Sequence, residues 1–236
     1  MKQVKTALFF LVFLFTTVIT NAQTVEEIIT KHVEATGGAE AWRKINTIRM
    51  EGTMTVRGAD LTVALTTLHG KGFRQDITVM GMSGYQIITP AAGWNFMPFQ
   101  GQTQVESMTA EDVKESQDEL DATGDLVDYK EKGKTVELAG KDDVDGTECF
   151  KLLVTGKGGK LKTFFIDPKS YFVIRVIEKV KANGQELEQT TNYSGFKKIP
   201  EGIVIPMSVT LPFGELKVTK VEVNKPVDES IFKPTN

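Results

Sequence analysis

The stretch Thr47-Ile48-Arg49-Met50-Glu51-Gly52-Thr53-Met54-Thr55-Val56-Arg57 decides the fold. Ile48, Met50, Met54 and Val56 fall on one side of an extended chain. Thr47, Arg49, Glu51, Thr53, Thr55 and Arg57 fall on the other, the period of two that marks a strand with one dry face. Gly58-Ala59-Asp60 supplies a turn, after which Leu61, Val63 and Leu65 alternate with Thr62, Ala64 and Thr66. Runs joined by so short a connection are antiparallel neighbours, because a parallel crossover needs a dozen residues or more.

Toward the C-terminus, strand-like runs recur at 73–80, 85–89, 94–99, 135–139, 149–155, 161–166, 171–180, 186–193, 203–211 and 215–223, punctuated by Gly, Pro and Asx residues. The joints include Asp145-Gly146, Gly158-Gly159, Asp167-Pro168 and Asn183-Gly184, the last being the strongest hairpin signal in the chain. With no break in composition, these runs predict one domain over residues 23–236. Its expected class is mainly β (α+β): a single strongly curved antiparallel sheet, a half-barrel, with short helices over its concave face.

Toward the N-terminus the period changes. Thr24 with Glu27 forms a capping box, Val25, Ile28, Ile29 and Val33 recur at helical spacing, and Gly37-Gly38 stops the run. A second helical piece, 39–45, carries Trp42 and Ile45. Ahead of these lie Lys2 and Lys5, an uncharged apolar run over 6–19, and Thr20-Asn21-Ala22. That order is the one of a secretory signal peptide, residues 1–22, cleaved near Ala22; the run is too short to span a bilayer. No cysteine stands at the cleavage site for lipid attachment, so a soluble periplasmic product is expected, in preference to a fully secreted one.

Composition excludes several chemistries. The 236 residues hold 28 Lys and Arg against 31 Asp and Glu, a net charge of −3 that gives no basic footprint for nucleic acid. Cys149 is the single cysteine and the histidines are His32 and His69, so neither an internal disulfide nor a Cys/His zinc site can be built. Cys149 sits in an apolar stretch and is expected buried and inert. Residues 107–128 carry Glu111, Asp112, Glu115, Asp118, Glu119, Asp121, Asp125 and Asp128 against Lys114. With Thr109 and Asp112 as a weaker cap, they read as a short solvated surface helix.

The remaining motifs are weak. Gly81-Met82-Ser83-Gly84 lacks the second spacer of a nucleophile elbow, and the glycine-rich 156–160 segment leads into Leu161 where a phosphate loop needs Ser or Thr. Asp142, Asp143, Asp145 and Glu148 lack the spacing of a calcium loop and read as an acidic hairpin. The expectation is therefore no catalytic residue, no metal, no cofactor and no enzymatic activity. A sheet this long with such short covers fits either a filled core or an open apolar concavity for a hydrophobic ligand. Met50, Met54, Met80, Met82, Met97, Met108 and Met207 suit an adaptable binding surface as well as an irregular core.

Three features resemble the outer-membrane lipoprotein-sorting family, the periplasmic lipoprotein carriers of LolA type and their relatives. One is the exported leader and amphipathic helix ending in Thr36-Gly37-Gly38 before a Met/Thr-rich strand. Another is Thr89-Pro90-Ala91-Ala92-Gly93-Trp94-Asn95-Phe96-Met97-Pro98-Phe99. The third runs from Val136-Glu137-Leu138-Ala139-Gly140-Lys141 through Val144-Asp145-Gly146, Phe165-Ile166-Asp167-Pro168 and Gly202-Ile203-Val204-Ile205-Pro206 to Asn224-Lys225-Pro226-Val227-Asp228-Glu229-Ser230-Ile231-Phe232-Lys233-Pro234.

The resemblance implies a monomeric, non-catalytic half-barrel that shelters lipoprotein acyl chains or another hydrophobic ligand between membrane-associated donor and acceptor proteins. By strand parity and aromatic content, the expected apolar lining is Met50, Met54, Val63, Leu65, Trp94, Phe96 and Phe99. The carriers' basic residue for handing cargo on would fall at Lys71 or Arg74, although Lys71-Gly72-Phe73-Arg74 lacks their Arg-Pro pair. The same fold also serves periplasmic sensors that bind a protein partner, and this is the alternative reading.

Overall fold

The computed structural model describes residues 23–182 and 185–235. The expected leader, 1–22, and the Asn183-Gly184 hairpin signal lie outside the described residues. Helix α1 is Val25–Ala35, and its capping box forms: Thr24 Oγ1 accepts from the Glu27 amide while the Glu27 carboxylate accepts from the Thr24 amide. At Gly37 φ is +117°, and a Cβ would stand 2.5 Å from the Gly202 carbonyl oxygen, so the helix ends where only glycine fits. Helix α2 is Ala39–Arg43.

The strands are β1 Thr47–Val56, β2 Ala59–Leu68, β3 Gly72–Val79, β4 Met82–Ile88, β5 Gly93–Phe96, β6 Glu106–Ser107, β7 Thr135–Val144, β8 Thr147–Thr155, β9 Leu161–Ile166, β10 Val173–Ala182, β11 Gln185–Ser194, β12 Lys197–Lys198, β13 Val204–Ile205, β14 Ser208–Leu211 and β15 Gly214–Val223. Helix α3, Ala110–Glu115, and a 3-10 turn, Gln117–Leu120, lie between β6 and β7.

Thirteen of these strands form one antiparallel sheet in the order β6-β5-β4-β3-β2-β1-β15-β14-β11-β10-β9-β8-β7, which does not close into a barrel; β12 and β13 pair separately. The chain walks outward from β1 to one edge, restarts at the other edge with β7, and returns inward until β15 pairs with β1. The centre of the sheet is thus a seam between the first and last long strands, with Ile48 opposite Val223 and Met50 opposite Val221.

Among the boundaries that differ from the sequence reading, three have a clear local cause. β7 continues to Val144 and takes up Asp142 and Asp143, leaving only Asp145-Gly146, both at positive φ, for the turn. The expected 203–211 strand divides into β13 and β14 around Pro206-Met207, since proline has no N–H to give a ladder. The 94–99 run stops at Phe96, after which Pro98–Gln100 forms a 3-10 turn.

One helix cannot cover this sheet. Thirteen strands at about 4.8 Å spacing extend to roughly 60 Å, whereas a helix with its side chains is about 10 Å wide. α1 settles on β8 to β10, where Ile28 and Ile29 pack with Phe150, Leu152, Val154, Phe164, Ile166 and Val176 into a filled core. The facing residues of β1 to β3, β14 and β15 have no such helix above them.

Candidate functional site: an apolar cavity

Over that uncovered half the concave face encloses a cavity of about 540 Å³. Its walls follow strand parity: Ile48, Met50 and Met54 from β1, Leu61, Val63 and Leu65 from β2, Phe73 and Ile77 from β3, Val209 and Leu211 from β14, and Leu216 and Val218 from β15. A bulge at Thr219 of β15 falls opposite Gly52 in this wall. The register of β1 against β15 shifts between Glu51 and Gly52, and a Cβ on Gly52 would fall 2.7 Å from the Lys217 carbonyl oxygen.

One end of the cavity is closed by Trp42 and the 118–124 segment. That segment is tied to the β2–β3 turn by Gly70 N–H donating to the Leu120 carbonyl at 2.8 Å, while Leu120 is buried against Phe73 and Ile88. At the opposite rim stands Phe213, 55% exposed. A second space of about 240 Å³ beneath α1 shares Trp42, Gly124, Tyr193, Ile205 and Pro206 with the first.

Of the lining expected from sequence, Met50, Met54, Val63 and Leu65 stand on the cavity wall. Trp94 and Phe96 do not: they lie on the same side of β5 as Tyr85 and Ile87 of β4, packed around Phe232 of the C-terminal segment. Phe99 rests over Gly84, its Cε1 2.8 Å from where a Cβ would be, and does not line the cavity. The two basic candidates hold that same C-terminal segment. Lys71 pairs with Glu229 at 2.5 Å; Arg74 pairs with Asp76, donates to the Ile231 carbonyl at 2.8 Å and stacks over the Tyr85 ring.

The acidic segment differs most from its sequence reading. Thr109 does cap α3 by accepting from the Asp112 amide. Beyond it, however, Asp118, Asp121 and Asp125 turn inward instead of forming a solvated face. Lys132 pairs with Asp121 at 2.6 Å, Lys134 with Asp118 at 2.9 Å and also with Asp125, and Lys162 with Asp125 at 3.0 Å, while Lys160 pairs with Glu178 at 2.7 Å. Burial pushes the Asp125 carboxyl up, but Lys162 and Lys134 outweigh it and hold the group below the usual carboxylate range. Lys132 and Lys134 lie just before β7, Lys160 just before β9 and Lys162 in β9, so the network welds the crossing segment to the filled half of the sheet.

Glu119 is different. It is exposed where it borders the cavity, and desolvation by the surrounding protein raises its pKa more than Lys162 and Lys160 lower it. Among the described residues its carboxylate makes no hydrogen bond or ion pair. Tyr193 stands on the same wall with its hydroxyl likewise unbonded among the described residues, and burial pushes it up to about 12. Sequence reasoning passed over both: Glu119 was one of eight carboxylates in its segment, and Tyr193 was one residue of an expected strand.

Several titratable groups elsewhere have structural partners. His32 Nδ1 lies 2.8 Å from the Tyr171 carbonyl oxygen and burial lowers its pKa. Asp142, Glu148 and Asp145 pair with Lys151, Lys141 and Arg175 around the β7–β8 hairpin. Cys149 is fully buried, and desolvation pushes its thiol up to about 11.

Among solved structures, the chain is similar to a LolA superfamily protein from Nitrosomonas europaea, with a TM-score of 0.57 and 12% identity over 90% of this chain and 99% of that one. It is similar also to a DUF1329 family protein from Desulfovibrio piger (TM-score 0.53, 16% identity, 90% and 98% covered). A putative outer membrane lipoprotein-sorting protein domain from Vibrio parahaemolyticus matches at TM-score 0.51 and 15% identity, with 87% and 94% covered. At these identities the likeness establishes the fold. No protein-family model matches the sequence, and no curated protein matches it.

Proposed function

We propose that the protein is a non-catalytic carrier or binder of a hydrophobic ligand, acyl chains of lipoproteins being the first candidate, acting in the bacterial periplasm after removal of its leader. The observation that supports this most is the cavity itself. Its volume falls in the range of roughly 300–1,000 Å³ that ligand sites occupy, and its walls are apolar from five strands of one sheet. Sheltering an acyl chain needs no covalent step: each methylene moved out of water contributes about 0.8 kcal/mol.

The fold neighbours add to the reading, since one of them is described as a putative outer membrane lipoprotein-sorting domain. Native mass spectrometry of protein purified from a bacterial envelope, together with titration of an apolar fluorescent probe, tests it. Co-purified lipid or lipopeptide and saturable probe uptake are expected. A ligand-free protein that takes up no probe would overturn the carrier reading, and a stoichiometric protein partner in that case would favour the sensor alternative.

A further inference from the structure

Resting on that reading, we infer that the ligand is an amphiphile whose head group carries a protonated amine, seated against Glu119 with the Tyr193 hydroxyl beside it and its apolar tail along Met50 and Val63. The geometry carries this inference. Asp118, Asp121, Asp125 and Glu178 are each committed to Lys132, Lys134, Lys160 or Lys162, so four carboxylates and four ammonium groups balance. Glu119 is the fifth carboxylate of this group, and it is the one turned into an apolar cavity without a partner among the described residues.

A carboxylate desolvated by the protein around an apolar cavity and left alone is costly, and it either stays protonated or attracts a cation. Lys162 and Lys160 act on Glu119 at a distance while held by Asp125 and Glu178, and Glu178 and Asp125 oppose its ionisation. His69 Nδ1 lies 3.5 Å from Asp121 Oδ1, while Lys132 meets the other oxygen of that carboxylate. An incoming ammonium would therefore supply the missing positive charge and donate to Glu119, while the Tyr193 oxygen accepts a second hydrogen bond. An anionic head group at the same place would meet Glu119 and find the nearby lysines already paired.

Displacement of the apolar fluorescent probe by three chain-matched competitors tests this: dodecylammonium, dodecanol and dodecanoate. On the native protein dodecylammonium is expected to compete roughly tenfold better than dodecanol, as one charge-assisted contact provides, and dodecanoate worse than both. In Glu119→Gln, which keeps the shape, the amine preference should disappear while dodecanol competes as before. Tyr193→Phe should weaken dodecylammonium about threefold, a fraction of one hydrogen bond. Equal competition by all three on the native protein, or an amine preference unchanged in Glu119→Gln, would overturn the head-group assignment and leave the cavity reading standing. Failure of every competitor and of the probe itself would overturn both.

Discussion

β8 to β10 and β1 to β3 are built from the same material, alternating apolar and polar residues in antiparallel strands of one sheet, yet one stretch is solid and the other hollow. Over β8 to β10, Leu152 and Ile166 have no exposed surface because Ile28 and Ile29 of α1 fill the space above them. Over β1 to β3, the equivalent positions Met50, Val63 and Leu65 border a cavity. Strand sequence does not make the difference. It comes from how much helix the chain has and where that helix lands: one eleven-residue helix, fixed by its capping box and by Gly37, covers one part of the sheet and leaves the rest.

The largest effect should come from the seam between the two halves. Lys162→Met removes a cation with 13% of its side chain exposed and leaves Asp125 and Asp118 poorly compensated. Loss of one partner from a buried network costs about 3–5 kcal/mol. Urea unfolding is the measurement, and a loss of under about 1 kcal/mol, the range of an exposed pair, would mean that the network is solvated.

A matched pair of truncations breaks the comparison most directly. Leu152→Ala in the filled half should cost about 2–5 kcal/mol, whereas Leu65→Ala, which already faces open space, should cost about 1 kcal/mol. Equal losses by chemical denaturation would mean that the second half is packed in solution as well.

Acid–base linkage gives a smaller and oppositely signed contrast. Asp125 is held below its unfolded value, so its stabilisation is present above that value and is lost as pH falls through the folded one. Glu119 is raised, so its contribution is complete below the unfolded carboxylate range, near pH 4.3 or so, and is lost as pH rises through the folded value. In a pH series of unfolding free energies, Glu119→Gln should remove the decline on the upper side only. A variant whose whole profile matches the native one would sink this assignment.

The smallest perturbation is a labelling experiment. Cys149, buried with its thiol raised to about 11, should react with a thiol reagent at neutral pH only when the protein unfolds. Met54→Cys places a thiol on the cavity wall and should react with a small apolar maleimide under native conditions. Equal rates at the two positions would erase the distinction between the halves.

Much of this was legible in advance. The alternation at Ile48, Met50 and Met54 and at Val63 and Leu65 gave both the strands and four of the residues that line the cavity, since parity along one strand assigns a face. Parity did not assign Trp94 and Phe96. They mark the dry face of β5 correctly, but that face lies under Phe232, and a sheet covered on both sides in different places has two dry faces that a sequence cannot tell apart. The acidic segment was illegible for a related reason: the lysines that neutralise Asp118, Asp121 and Asp125 arrive from the approach to β7 and from β9, out of register with any local pattern.

By itself, then, the sequence determined the strands, their antiparallel pairing, the capped first helix and the absence of disulfide or Cys/His metal chemistry, because each depends on neighbours within a few residues or on composition alone. Tertiary structure decided which half of the sheet the helix would fill, which dry face would become a wall, and that one carboxylate, Glu119, would be left facing the hollow. Those outcomes depend on contacts between residues far apart in the chain, and on the simple geometric fact that one short helix is narrower than thirteen strands.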